Sequence, residues 1–347
     1  MALLLLNGDG VEDAEKYSVH VHVIGGSLKK SDLSGYQPVW QDPLSSRIGD
    51  SQHIHSAPIP GAGVVLAVAV HKINVAFVEA LKFALAKRPE LGDDQNVKDR
   101  QTSMVTDVIG FAAQNYDKTK PLASPQKYGI KYAPQADFGG AQLTIVAPNG
   151  DALSVTSGLN GMFGSGFESS SGLLLNNYMD AFAMPRKQFN LDPSPANQLG
   201  PSKRPMTSMV PTIITKFSTP SELVGAFGGS GGLPAISAVA QLITCVRKYT
   251  LPRCVWNDAR VQPTFRSTTP NSVFAEPKTE HFDPVRVRCR SEGHEKCLKH
   301  VSLLHQLGDS VTEKTIMSAA TGIIVTKSGS LLAPNDMKHV DGSRSGA

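Results

Sequence analysis

The sequence predicts an α+β fold in which stacked β-sheets are covered by helices. Helical periodicity is concentrated before residue 116, alternating strand patterns dominate after residue 140, and Pro- and Gly-rich turns separate the elements. A chain of 347 residues holds one large domain or two ordinary ones and buries a sizeable core.

Residues 1–24 carry little signal beyond Val19, Val21 and Val23, which alternate with His20 and His22 as a short strand does. Gly25-Gly26 reads as a turn, and Ser31 and Asp32 open a helical turn ending near Gly35-Tyr36. Pro58, Pro60, Gly61 and Gly63 form a tight loop into one long apolar helix. On that helix Phe77, Leu81, Ala84 and Leu85 share a face, and Pro89 and Gly92 stop it. A second amphipathic helix is predicted over 95–115, with Val105, Val108, Phe111 and Ala112 as its buried stripe. Residues 117–138, rich in Pro, Lys and Tyr, read as an extended loop.

The pattern then changes to strands. Leu143, Ile145 and Ala147 alternate with polar neighbours, Pro148-Asn149-Gly150-Asp151 is a hairpin turn, and Leu153 and Val155 lie on the return strand. A Gly/Ser-rich stretch at 161–172 leads to the apolar run Leu173-Leu174-Leu175. Strands are predicted at 209–217 and 222–227, a helix at 233–248, loop over 264–284, and a last strand–turn–strand around Ser328-Gly329. No internal repeat is present.

Composition narrows the function. Apolar residues make up 40% and charged residues 18%, which is a folded composition. The net charge of +4, from 34 basic and 30 acidic groups, comes with no polybasic run, so no nucleic-acid partner is expected. Cys245, Cys254, Cys289 and Cys297 are too few for a disulfide scaffold. No apolar run has the length of a membrane span, and Ala2–Leu6 lacks the basic region of a signal peptide. No Asn-x-Ser/Thr sequon occurs.

Cys289, His294, Cys297 and His300 have zinc-binding chemistry, but their spacing fits no usual finger, and no metal is predicted. The pairs His20/His22 and His53/His55 read as strand histidines facing solvent. Gly228-Gly229-Ser230-Gly231-Gly232 follows a strand and precedes a helix, yet it lacks the Gly-Lys-Ser/Thr ending of a phosphate loop. Such a turn presents backbone N–H groups at a helix N-terminus, where an oxyanion can be held.

Several long segments, in order, carry a more specific signal. Leu173-Leu174-Leu175-Asn176-Asn177-Tyr178-Met179-Asp180-Ala181-Phe182, Gly200-Pro201-Ser202-Lys203-Arg204-Pro205-Met206-Thr207-Ser208-Met209-Val210-Pro211-Thr212 and Val224-Gly225-Ala226-Phe227-Gly228-Gly229-Ser230 are the clearest. Upstream are Gly25-Gly26 with Asp32-Leu33 and Tyr36, and Glu79 to Arg88 followed by Leu91-Gly92-Asp93. Downstream is Leu332-Ala333-Pro334-Asn335-Asp336, running to Gly346-Ala347. Over residues 25–347 the chain resembles the C-terminal part of a gamma-glutamyltransferase (glutathione hydrolase).

The resemblance implies a four-layer αββα N-terminal-nucleophile hydrolase sandwich, incomplete at its N-terminus. It divides the chain into a divergent segment at 1–24, the end of the family's large-subunit region at 25–139, and a small-subunit-like region at 140–347. In the family the proenzyme cuts itself just before a threonine, whose hydroxyl then attacks the gamma-glutamyl bond with the new alpha-amine as base. Here that position is Gly140, and the supporting threonine falls on Gly158. The glutamate and second aspartate that hold the substrate's alpha-amino group fall on Tyr178 and Ala181, while Asp180 keeps the first aspartate. Asn160, Thr207, Ser208, Gly228 and Gly229 keep family identity or chemistry and would meet the glutamyl carboxylate and the oxyanion. The arginine clamp for the alpha-carboxylate belongs to an upstream region that these residues do not include.

No intact catalytic set is therefore expected, and no cofactor is implied. Three functions follow from the resemblance. The chain is an inactive homologue that binds glutathione or another gamma-glutamyl compound, an active hydrolase or transpeptidase with an unexpected nucleophile such as Thr144, or a truncated product without selected function. Self-association, or pairing with a full-length homologue, is the expected fate of an uncovered sheet. The family's extracellular, membrane-anchored or periplasmic setting finds no leader or anchor in these residues to support it.

Overall fold

The computed structural model describes residues 29–248 apart from 72–76, 118, 121, 123, 136, 170–171 and 189. It also describes 266–269, 272–275, 311–313, and 319–333 apart from 327. The strand read at Val19–Val23 and the Cys289–His300 cluster lie outside these residues.

A six-stranded antiparallel sheet is the centre of the molecule. Its strands are β1 (Leu44–Ile48), β2 (Gln52–Ser56), β5 (Thr212–Lys216), β6 (Leu223–Ser230), β10 (Ala319–Val325) and β11 (Leu331–Leu332), paired in that order. Residues on both sides of the 139/140 boundary thus share one sheet, joined where β2 pairs with β5 from Gln52↔Lys216 to Ser56↔Thr212. Two further strands, β3 (Ala141–Val146) and β4 (Ala152–Ser157), form a separate hairpin, and β7 (Arg266–Thr269), β8 (Ser272–Ala275) and β9 (Val311–Glu313) form a small sheet.

Four helices matter for packing: α1 (Gly63–His71), α2 (Phe77–Lys87), α3 (Gln101–Asn115) and α4 (Leu233–Lys248). Gly63 to Val70 are all buried, which is the signature of a helix enclosed on every side. It touches β1, β2, α2, α3 and α4. One face of the sheet supplies Leu44, Ile48, Ile54, Ile214, Phe227 and Ile324 to this core, and the helices supply Val65, Leu66, Leu81, Phe83, Val239 and Ile243. The hairpin lies on the opposite face, over β5, β6 and β10. The described residues therefore stack as helices, sheet and hairpin.

The structure differs from the sequence reading in three places. The long apolar helix is two helices, α1 and α2, which pack against each other and do not run end to end. Phe111 is 40% exposed, and Met104 takes its place in the buried stripe of α3. Residues 264–284, read as loop, contain β7 and β8. The apolar run Leu173–Leu175 makes one isolated bridge, from Glu168 to Leu174. Among the described residues, no helix is long and apolar enough to cross a membrane.

Candidate functional site

The family-matched positions meet where the loop before β3 passes the start of α4. Three consecutive residues of that loop are pinned. The Gly139 carbonyl accepts hydrogen bonds from the N–H groups of Gly231 (2.8 Å) and Gly232 (3.0 Å), at the N-terminus of α4. The Phe138 N–H donates to Asn160 Oδ1 at 3.1 Å. The Asp137 carboxylate accepts from the Ser208 N–H (2.6 Å), Thr207 Oγ1 (3.1 Å), Arg88 Nη2 (3.1 Å) and Ser208 Oγ. Gly232 makes the close approach possible. It sits at φ +70°, and a Cβ there would run into the Asp137 carbonyl.

Arg88, at the C-terminal end of α2, is buried beneath this loop. Its Nη2 also donates to Ser208 Oγ at 2.8 Å, and its Nη1 donates to the Gln135 carbonyl. Burial lowers the guanidinium pKa, and the Asp137 carboxylate opposes that shift. Its Nε is buried without a hydrogen-bond partner.

Gly140, where the sequence reading expects the nucleophile position, has φ +110°, a conformation that side-chain-bearing residues rarely adopt. A Cβ at Gly158, the expected supporting position, would collide with the Tyr178 hydroxyl oxygen and lie 3.4 Å from the Gly140 Cα. Tyr178 thus occupies the space that a residue-158 side chain would need beside Gly140. Its phenol is pushed up to about 12, first by burial and then by the Asp137 charge, against a hydrogen bond from the Asn160 backbone. Asn160 holds a left-handed conformation, φ +67°, which asparagine tolerates better than most residues. Its Nδ2 donates to the Asn177 carbonyl at 3.2 Å.

The remaining positions are less central. Asp180 is exposed and accepts from Asn177 Nδ2 at 3.1 Å. Ala181 is buried, and its carbonyl accepts from Asn197 Nδ2 at 2.8 Å. Gly228 and Gly229 lie within β6, opposite Thr321 and Ala320, and not in the turn, which is Gly231-Gly232. A Cβ at Gly228 would overlap the Gln142 carboxamide, which reaches from the hairpin to the sheet. Gln142 Nε2 also bonds Ser154 Oγ (2.9 Å) and Thr144 Oγ1 (3.2 Å). Thr144 therefore sits on the hairpin's inner polar face.

Asp137, Phe138, Gly139, Tyr178, Ser208 and Met209 line a cavity of about 10 Å³. That is the room of one water molecule. Gly140, Gly158, Asn160, Tyr178, Thr207 and Ser208 are brought together, whereas Asp180 and Ala181 stand at the edge. Sequence reading missed Asp137, Arg88 and Gln142. The available signals were an arginine just past the end of an amphipathic helix and an aspartate two residues ahead of Gly139-Gly140.

A family model described as gamma-glutamyltranspeptidase matches residues 12–345. Scoloptoxin SSD14 of Scolopendra dehaani is 29% identical over 354 residues, 92% of this chain and 56% of that protein. The glutathione hydrolase proenzyme of Escherichia coli (strain K12) is 29% identical over 351 residues, 94% of this chain and 56% of that protein. Glutathione hydrolase 2 of Arabidopsis thaliana is 34% identical over 246 residues, 63% of this chain and 41% of that protein. The chain thus spans about half the length of the curated relatives it matches. Among solved structures, cephalosporin acylase from Bacillus halodurans superposes with a TM-score of 0.66 at 20% identity, over 93% of this chain and 56% of the acylase, a likeness of fold. The fold is that of an N-terminal-nucleophile hydrolase, and with a match running from residue 12 to 345 the chain belongs to the gamma-glutamyltranspeptidase family.

Proposed function

We propose that this chain is a non-catalytic member of its family, with gamma-glutamyl compounds such as glutathione as the ligand class. The observation that supports it is Gly140, which offers no hydroxyl at the nucleophile position. Loss of a nucleophile costs on the order of 10⁶ in turnover, whereas each lost charge-assisted contact costs about 1.5–3 kcal/mol. The replaced contacts at Tyr178 and Ala181 weaken a ligand, but the missing hydroxyl removes the reaction. Asn160, Thr207 and Ser208 are the polar groups from which recognition would be built. Two relatives carry the name glutathione hydrolase, which supports the ligand class.

Hydrolysis of a gamma-glutamyl anilide by the purified chain tests this. No release above the buffer rate is expected. Turnover that disappears in Thr144→Ala would establish instead an active hydrolase with a displaced nucleophile.

A further inference from the structure

Four donors from two separate stretches of chain converge on the two oxygens of Asp137. They are Arg88 Nη2, Thr207 Oγ1, the Ser208 N–H and Ser208 Oγ. Asp137 and Arg88 are each 3% exposed and Ser208 is 1% exposed, so the carboxylate is held away from water. A planar guanidinium, a backbone N–H and two hydroxyls around one carboxylate make a carboxylate receptor. The occupant comes from the chain itself, on the loop whose next residues are tied to Asn160, Gly231 and Gly232.

We propose that Asp137 is an internal ligand that fills this receptor and holds the chain in a self-blocked state. The proposal rests on the reading of Thr207 and Ser208 as ligand-carboxylate donors and adds the condition for their use. Beside Asp137 there is room for about one water, not for a second carboxylate. Two carboxylates there would also repel each other across a single guanidinium. A ligand must therefore carry a carboxylate of its own and displace the 137–140 loop to seat it.

Carboxylate rescue of a vacated receptor tests this in the full chain. Asp137→Ala should melt several degrees below the unsubstituted protein. Sodium acetate should restore much of the loss along a saturable curve, while sodium chloride at equal ionic strength should not. The unsubstituted protein should show no such response, and Thr207→Ala added to Asp137→Ala should weaken the acetate effect several-fold. If Asp137→Ala does not fold, Asp137→Ser serves in the same titration, and folding that depends on acetate counts in favour. A flat acetate curve, or failure of both variants to fold with and without acetate, overturns the proposal. Glutathione should act at lower concentration than acetate. Rescue by acetate with no advantage for glutathione would leave the self-block standing and remove the gamma-glutamyl reading.

Discussion

Placing a threonine at position 140 meets a backbone obstacle before a chemical one. Gly140 sits at φ +110°, and a Cβ there would lie 3.2 Å from the Ser157 carbonyl oxygen. Gly140→Thr alone is therefore expected to confer neither self-cutting nor turnover. On a denaturing gel both proteins should run as one 37.0 kDa band, and stable fragments of about 139 and 208 residues would refute this. Gly158→Thr drives a side chain into the Tyr178 hydroxyl and should cost about 1–3 kcal/mol by overpacking. Adding Tyr178→Phe should return part of that loss, and urea melts of the four proteins give the coupling. Because the Tyr178 phenol is held up near 12, the unfolded chain, ionising near 10, loses its proton first. Stability should then fall as pH rises through that interval, and Tyr178→Phe should flatten the fall. The glycines at 140 and 158 were legible because aligned motifs number them. The Arg88–Asp137 pair was not, since its members are 49 residues apart and only the folded chain brings them together.

Element by element, pattern predicted existence better than orientation. The β3–β4 hairpin was read from its alternation and its Pro-Asn-Gly-Asp turn, but a period of two does not say which face turns inward. Here Gln142, Thr144, Ser154 and Thr156 face the sheet, and Leu143, Ile145, Leu153 and Val155 face out. The inward polar face is satisfied by its own hydrogen bonds, including one from Ser154 Oγ to the Phe227 carbonyl at 2.8 Å. That Gly63–His71 and Phe77–Lys87 are separate helices is not legible in the sequence, because apolar residues fill both. A second long-range tie joins the family-matched loop to the end of α2. Arg204 Nη2 and Nε meet the Asp93 carboxylate at 2.8 and 3.1 Å, and Lys98 lies 3.1 Å away. Burial raises the Asp93 pKa, but hydrogen bonds from Arg204 and then Lys98 outweigh it and bring it to about 2. Its stabilisation is present above the ordinary carboxylate pKa and should be lost as pH falls toward 2. Asp93→Asn should remove about 1 kcal/mol at neutral pH, with Arg204 partly screened by solvent, and nearly nothing at pH 2. Chemical denaturation at both pH values checks this.

For the whole molecule, the outward hairpin face is the exposed feature of consequence. Leu143 pairs with Val155 and Ile145 with Leu153 across the hairpin, and all four are 41–55% exposed. An apolar cluster beside two strand edges that are unpaired among the described residues favours association. Sedimentation of the chain is expected to show concentration-dependent self-association that Leu153→Lys reduces, and a monomer at every concentration would overturn this. The fold class was legible because helical and strand periodicities occupy separate stretches of sequence. The layer order was not, because strands far apart in the chain build one sheet. That interleaving also makes the two sides of the 139/140 boundary complementary fragments. Residues 1–139 bring β1, β2 and the enclosed helix α1, and 140–347 bring the strands and the α4 surface that close them, with five register pairs between β2 and β5. Neither piece has a finished core alone. Expressed as separate polypeptides with a tag on one, they should reassemble and purify together, as the halves of a split protein do.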